Sequence, residues 1–423
     1  MVMSRRHFYR KSSLLALTFT PMWLMMIFAT LILTAWLGFF SYRHIEYGND
    51  LWWQFSYRDD ASRFLRSLVI LCVAAVALVA QQLLAPRPQV KAEMTEEDRI
   101  KALPLVTGGR DTQANLAMLG DKSLFWAEDG TAFVSYAVTA SYWIAMGDPV
   151  GDEAAFDGLL WKFREEADRH GARVVFYQVS ERYLPLYLDL GLALLKLGEE
   201  AHVDLGKFSL EGTHRSSLRG ARNKMVREGC HFEILEPEAT PPVMSRLREI
   251  SDAWMAKKNV REKGFSLGFF DEVYLEHCRI AVVKNTEGVI VAFANIWETE
   301  SKNELSLDLM RYDPSLRGVM DYLFIELMLW GKAQGYAWFN LGMAPLAGLE
   351  RHPLAPMWHK IGSLIFDFGE ELYNFEGLRG YKAKFDPEWK SRYLATPAGI
   401  SAPLVLLAVT RLISGSFKGM VSK

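Results

Sequence analysis

Cysteine is scarce in this 423-residue chain: Cys72, Cys230 and Cys278 stand far apart. An odd count without metal-type spacing fits a reducing compartment and argues against a disulfide framework or a zinc site. Excess charge is missing too, with 48 basic against 50 acidic residues and a formal net charge of −2. No global basic balance marks a nucleic-acid binder, so any site for a polyanion has to be a local patch. H-E-x-x-H, a Walker loop and a dinucleotide fingerprint are all absent. Their absence argues against the enzyme classes those motifs mark.

Long apolar runs, by contrast, are present. Residues 14–40 carry no charged side chain and exceed the roughly 20 residues a spanning helix needs. Residues 66–84 form a second, shorter candidate, with Arg66 able to snorkel at its edge. Arg5, Arg6, Arg10 and Lys11 precede the first run, and Arg87 and Lys91 follow the second. That distribution places both ends in the cytosol. Residues 1–90 therefore read as a two-helix transmembrane hairpin. The remainder is too long for one core and divides into a first domain over 91–240 and a second over 241–423.

A repeat underlies that division. In the first copy, strands over 131–139 and 142–147 lead to Asp148-Pro149, a helix over 156–170, Gly171 and a strand over 172–178. In the second, strands over 280–283, 289–297 and 305–310 lead to Asp313-Pro314, a helix, Gly335 and a strand over 337–341. Matching order and punctuation predict two similar mixed α/β domains in tandem. Antiparallel strands, a crossover helix and a further strand resemble the core of the GNAT acyltransferase fold. Coenzyme A, the usual donor of that fold, is a poor candidate. The turn Gly147-Asp-Pro-Val-Gly-Asp152 would repel pyrophosphate, and Ser315-Leu-Arg-Gly318 matches the basic turn only in part.

Candidate site residues fall in three places. Along the strand from Glu304 to Arg311 polar and apolar residues alternate, putting Ser306, Asp308 and Met310 on one face. Asp308 and Arg311 then lie where strands around a crossover open, a usual ligand position. Next, Arg215, Arg219 and Arg222 form a basic stripe on the helix between the copies, with Lys224 beside it. Such a stripe suits the phosphates of a tRNA acceptor stem or of anionic lipid. Last, if residues 381–385 are extended, Lys382 and Lys384 share a face beside Arg379 and Arg392. Two convergent lysines suit a phosphate ester and the oxyanion of an acyl transfer. The apolar run over 398–409 is too short to span and reads equally as an interfacial or a packed helix.

Taken together, the two GNAT-like units, the basic Leu218-Arg-Gly-Ala-Arg-Asn-Lys224 helix and Asp308-x-x-Arg311 carry a resemblance. So do Asn340-Leu-Gly-Met-Ala-Pro345 and Lys384-Phe-x-Pro387-x-Trp389-x-x-Arg392-Tyr393. Over roughly residues 90–395 the chain resembles the multiple peptide resistance factor family of lysyl- and alanyl-phosphatidylglycerol synthases. The final signature is its most specific part. Members usually carry many more membrane helices, which form a lipid flippase. The resemblance implies transfer of a lysyl or alanyl group from aminoacyl-tRNA to phosphatidylglycerol on the cytosolic face of the membrane. Such transfer lowers the negative charge of the membrane and needs neither coenzyme A nor metal. It implies that Asp308 holds the α-amine or the lipid hydroxyl. Arg311 and Lys384 would hold phosphate or the oxyanion, with Lys382 assisting and Arg379 and Asn340 in the substrate site. Arg215, Arg219, Arg222 and Lys224 would meet the acceptor stem, and Tyr373, Asn374 and Glu376 would line the amino-acid pocket. Alternatives are a Fem-type peptidyltransferase, which shares paired GNAT units and an aminoacyl-tRNA donor, and a silent lipid- or tRNA-binding module.

Overall fold

The computed structural model describes residues 94–139, 141–258, 262–316, 318–349, 375–398 and 402–414, with Ile32, Trp36 and Val73 besides. The spans expected over 14–40 and 66–84, together with Tyr373, Asn374 and the side chain of Glu376, lie outside the described residues. Among the described residues no helix is long and apolar enough to cross a membrane.

Residues 90–168 and 172–423 form one compact unit, and its strands make one sheet. They are β1 (Ser123–Trp126), β2 (Ala132–Thr139), β3 (Tyr142–Met146), β4 (Val150–Gly151), β5 (Arg173–Ser180) and β6 (Leu192–Asp204). After them come β7 (His231–Leu235), β8 (Ile280–Lys284), β9 (Ile290–Glu298), β10 (Glu304–Tyr312), β11 (Trp338–Pro345) and β12 (Glu388–Pro397). The helices are α1 (Glu96–Thr107), α2 (Phe156–Arg169), α3 (Leu184–Asp189), α4 (Ser216–Arg227) and α5 (Met244–Lys258). They continue with α6 (Glu272–Glu276), α7 (Val319–Ala333), α8 (Phe375–Ala383) and α9 (Ala402–Ser414).

The repeat expected from the sequence is visible in the strand pairing. β2 and β3 are antiparallel and β3 runs parallel to β5 across α2. In the same way β9 and β10 are antiparallel and β10 runs parallel to β11 across α7. Gly335, at φ 85°, supplies the left-handed residue that ends the second crossover helix. The boundary expected at residue 240 does not separate two sheets. Strand order is β1-β2-β3-β5-β12-β6-β11-β10-β9-β8-β7, so the last strand lies between β5 and β6. The reason is pairing: β6 is long enough to bond β12 along one edge and β11 along the other.

Alternation along the strands sends side chains to both faces. On one face Phe133, Ile144, Val175, Val282, Phe293 and Leu309 pack with residues of α1, α5, α6 and α9. The opposite face is covered by α2 and α3 in the first half, where Phe163 meets Phe125, Tyr136, Trp143 and Phe176. In the second half α4, α7 and Phe385 cover it with a more aliphatic layer. Both faces are thus apolar and protected, as a sheet containing crossovers requires.

Candidate active site

At β10 the alternation breaks. Pairing with β9 shifts register between Leu307 and Met310, so one extra residue is accommodated as a bulge. Leu307 and Met310 consequently pack on the same face, while Leu309 packs on the other. The expectation that Asp308 shares a face with Met310 is corrected here, because strict period-two alternation does not survive a bulge. Fully buried Asn295 fits the disturbed ladder: its Oδ1 accepts from Leu309 N at 2.7 Å and its Nδ2 reaches Tyr274 Oη at 3.1 Å.

Tyr274 in turn reaches Asp308. Its hydroxyl lies 3.4 Å from Asp308 Oδ2, and Gly268 N donates to Oδ1 at 2.8 Å. Gly268 belongs to a strap over residues 262–270. Lys122, itself fully buried, anchors the strap by donating to Phe265 O at 2.8 Å, while Asp121 accepts from Phe265 N at 2.6 Å. Burial pushes the Asp308 carboxyl up to about 6, against the Gly268 N–H and the Lys122 charge. Arg311 bonds Glu262 at 3.2 Å and stacks 4.4 Å from the Trp254 ring centre. Its Nε is buried without an acceptor. A methyl group at Gly268 would overlap the Asp308 carboxylate. Gly268→Ala is therefore expected to displace the strap and cost about 1–3 kcal/mol. A lowered melting temperature with faster proteolysis of residues 262–270 checks this.

A second group of charges crosses the seam between the halves. Arg392 on β12 donates from Nε to Glu200 Oε2 at 2.9 Å and from Nη2 to Asp111 Oδ2 at 2.8 Å. Glu200 is 2.9 Å from His202 Nε2, and Glu304 Oε2 is 3.3 Å from His202 Nδ1. Glu304 also accepts from Thr112 Oγ1 at 2.6 Å. Burial opposes charge on the His202 ring, but the two carboxylates outweigh it and raise the imidazole to about 9. Burial opposes the Glu200 carboxylate too; Arg392 and His202 outweigh it and hold it below the usual range. Burial raises Asp111 despite Arg392. These groups make the floor of a cavity of about 610 Å³. Its wall includes the Gly147–Glu153 turn, and its rim carries Arg110, Arg182 and Lys390. Arg392 Nη1 is buried there without an acceptor.

The two aspartates of that turn are locally occupied. Asp148 accepts from Ser180 N at 3.0 Å and Tyr187 Oη at 2.7 Å, and Asp152 caps Ala154 N. Among the described residues no group of three His, Cys, Asp or Glu is placed to hold a metal ion.

The structure scatters the tail cluster. Residues 375–383 are helical rather than extended, because Tyr381 and Phe385, one helical turn apart in spacing, both pack on Phe324. Lys382 and Lys384 thereby point apart. Lys382 is buried and donates to Met343 O at 2.9 Å, whereas exposed Lys384 lies over the Tyr381 ring. Burial lowers Lys382 to about 8, with the Glu200 charge acting in the other direction. Lys384 lines neither the cavity nor the Asp308 site. Arg379 pairs with Glu199 at 3.4 Å and stacks on Trp389. Asn340 is buried behind the floor, 3.4 Å from Glu304 Oε1, and its own Oδ1 accepts from Gly342 N.

Much of the basic stripe faces protein. Arg215 is buried and donates to Lys384 O at 3.0 Å; Arg219 donates to Leu210 O and Gly212 O. Arg222 pairs with Glu326 at 2.7 Å. Lys224 and Arg227 are exposed. Sequence reasoning missed the floor: Asp111 and Glu304 lie far in sequence from Glu200 and His202, which share one strand. The signal present was the group Glu199, Glu200, His202 and Asp204 at the end of a largely apolar strand.

Residues 103–396 match the family described as phosphatidylglycerol lysyltransferase, C-terminal. Over 355 residues the chain is 38% identical to the phosphatidylglycerol lysyltransferase of Bacillus subtilis, covering 84% of this chain and 41% of that one. A Staphylococcus aureus protein of the same name is 39% identical over 287 residues, covering 68% and 34%. The chain thus spans about two fifths of the length of such relatives. Two solved structures show the same fold. The C-terminal domain of a putative lysylphosphatidylglycerol synthetase from Agrobacterium fabrum is 43% identical, with a TM-score of 0.69 over 76% of this chain and 99% of that one. L-PGS from Bacillus licheniformis is 40% identical, with a TM-score of 0.68 over 77% and 99%.

Proposed function

The chain belongs to the phosphatidylglycerol lysyltransferase C-terminal family, and from that membership we propose that it moves an aminoacyl group from aminoacyl-tRNA to phosphatidylglycerol. The site works at the cytosolic face of a membrane, and the two crossover units act as tandem GNAT-like folds without coenzyme A. The observation that carries this reading beyond kinship is the cavity with the buried floor of Glu200, Glu304, His202 and Arg392 and the partly exposed Asp111 beside them. Carboxylates outnumber the cations there, which suits an ammonium group and favours lysyl over alanyl cargo. Rim cations suit the terminal phosphates of the donor.

The ester is already activated, so the protein has to orient, stabilise charge and move one proton. The lipid hydroxyl oxygen bonds to the aminoacyl carbonyl carbon, and its proton passes to the Lys382 amine, which stands outside the cavity lining and has to give up Met343 O to reach it. The ribose oxygen then leaves and takes that proton back, so one ester replaces another. Arg392 Nη1, a buried donor without an acceptor beside the cavity, turns to the carbonyl oxygen when the cargo enters, whereas Arg311 stands outside the cavity lining and holds the strap through Glu262. Asp308 positions the strap and Arg311. Lys224 and its exposed neighbour Arg227 contact the acceptor stem. Arg215, Arg219 and Arg222 shape that helix more than they face a ligand.

Full-length protein mixed with labelled lysyl-tRNA and phosphatidylglycerol vesicles is expected to yield labelled lipid. Labelled cell-wall precursor instead, or binding without transfer, overturns the reading. Full transfer by folded Asp308→Ala and Arg311→Ala proteins would move the site elsewhere.

A further inference from the structure

Helix α9 packs only one of its sides. Val405, Ala408 and Val409 are buried against the sheet, whereas Leu404 is 62% and Leu407 39% exposed. Arg411 follows one turn later on the outer side. An aliphatic stripe ending in a cation is the pattern of a helix lying in a lipid interface. Residues beyond it add Lys418 and Lys423 in sequence, charge that complements anionic headgroups.

Helix α1 shows the same exposure. It packs into the same core layer through Ala102 and Val106, and leaves Ile100 67% and Leu103 40% exposed. The apolar run over residues 68–84 ends ten residues before Met94. The last turn of α9 also touches the strap, since Gly264 N donates to Ile413 O at 3.0 Å. Leu267 on that strap is 46% exposed.

We propose that the outer side of α9, through Leu404, Leu407 and Arg411, rests on an anionic lipid surface. The strap over Asp308 then faces the bilayer from which the acceptor hydroxyl arrives. This consequence for the acceptor rests on the proposed function; the contact itself does not.

Nitroxides placed at Leu404→Cys and Leu407→Cys in full-length, Cys72→Ser protein read the environment directly. Leu188→Cys, exposed on α3 at the opposite face, is the control. In phosphatidylglycerol-containing proteoliposomes the α9 labels are expected to be relaxed by oxygen and shielded from a water-soluble nickel chelate. Nickel access equal to the control overturns the proposal, as does poor access to both reagents, which would mean another part of the protein covers the stripe. These readings need no catalysis, so a failed transfer assay leaves them standing. A Leu404→Ser/Leu407→Ser protein should raise the apparent KM for vesicle lipid about tenfold, about 1.4 kcal/mol. Transfer to monomeric short-chain phosphatidylglycerol should not change. An equal loss with both lipids overturns the surface role.

Discussion

Arg392→Met is expected to lower the melting temperature by roughly 5 °C and to abolish transfer. Arg392 is 4% exposed and neutralises Glu200 and Asp111 together. Removing one partner of a buried network leaves uncompensated carboxylates, at a cost of about 3–5 kcal/mol. For a unit of this size each kcal/mol moves the midpoint by roughly 1.4 °C. The effect is large because Asp111 precedes the 3-10 turn that follows α1, Glu200 is on β6 and Arg392 is on β12, so one guanidinium joins three separate segments. Lysine should not rescue it. An ammonium group lacks the planar fork that reaches both acids. Thermal melts of Arg392→Met and Arg392→Lys measure the cost; a shift below about 2 °C in both would mean the acids are neutral or rehydrated.

Lys382→Met should do the reverse to the fold and harm only the chemistry. Burial holds the Lys382 amine near 8, well under its ordinary 10.5. The unfolded chain binds that proton more tightly, so stability should rise as pH climbs from about 8 towards 10.5. Below that window the buried charge costs about 3 kcal/mol, at 1.36 kcal/mol per pH unit. Methionine removes the cost and loses one hydrogen bond to Met343 O, so the melting temperature at pH 7 should hold or increase. Transfer, in contrast, should fall by about 10²–10⁴-fold if the amine takes the hydroxyl proton. The wild-type rate should rise about tenfold per pH unit up to about 8 and then level off. Lys382→Arg, which cannot deprotonate, should not restore it. Transfer by folded Lys382→Met above a tenth of wild type removes the base from the mechanism.

Sequence periodicity located strands and crossover helices because they are regular. The paired units, Asp-Pro before each crossover region and Gly335 at a helix end were legible for that reason. What escaped was set by irregular geometry. Nothing local announces the bulge between Leu307 and Met310 that turns Asp308 towards Tyr274 and Gly268. The helix over Phe375–Ala383 was missed because Lys382 and Lys384 also satisfy an extended reading; only the packing of Tyr381 and Phe385 on Phe324 decides between them. Asp111, Glu200, His202, Glu304 and Arg392 become a group only once β12 is laid beside β6. A cluster assembled by pairings of nearly 200 residues in separation has no signature in any short window.

That inserted strand also governs the order in which the protein can be completed. With β12 unmade, β5 and β6 each present an open edge inside what will be the sheet centre, and such edges recruit other chains. Closure waits until residue 397 has been synthesised, since Pro397 pairs with Leu192 and Ala395 with Phe176. Contacts so distant along the chain form slowly. Nascent chains therefore pass through a long interval in which both halves are built but not yet stitched together, the stage at which chaperone protection matters most.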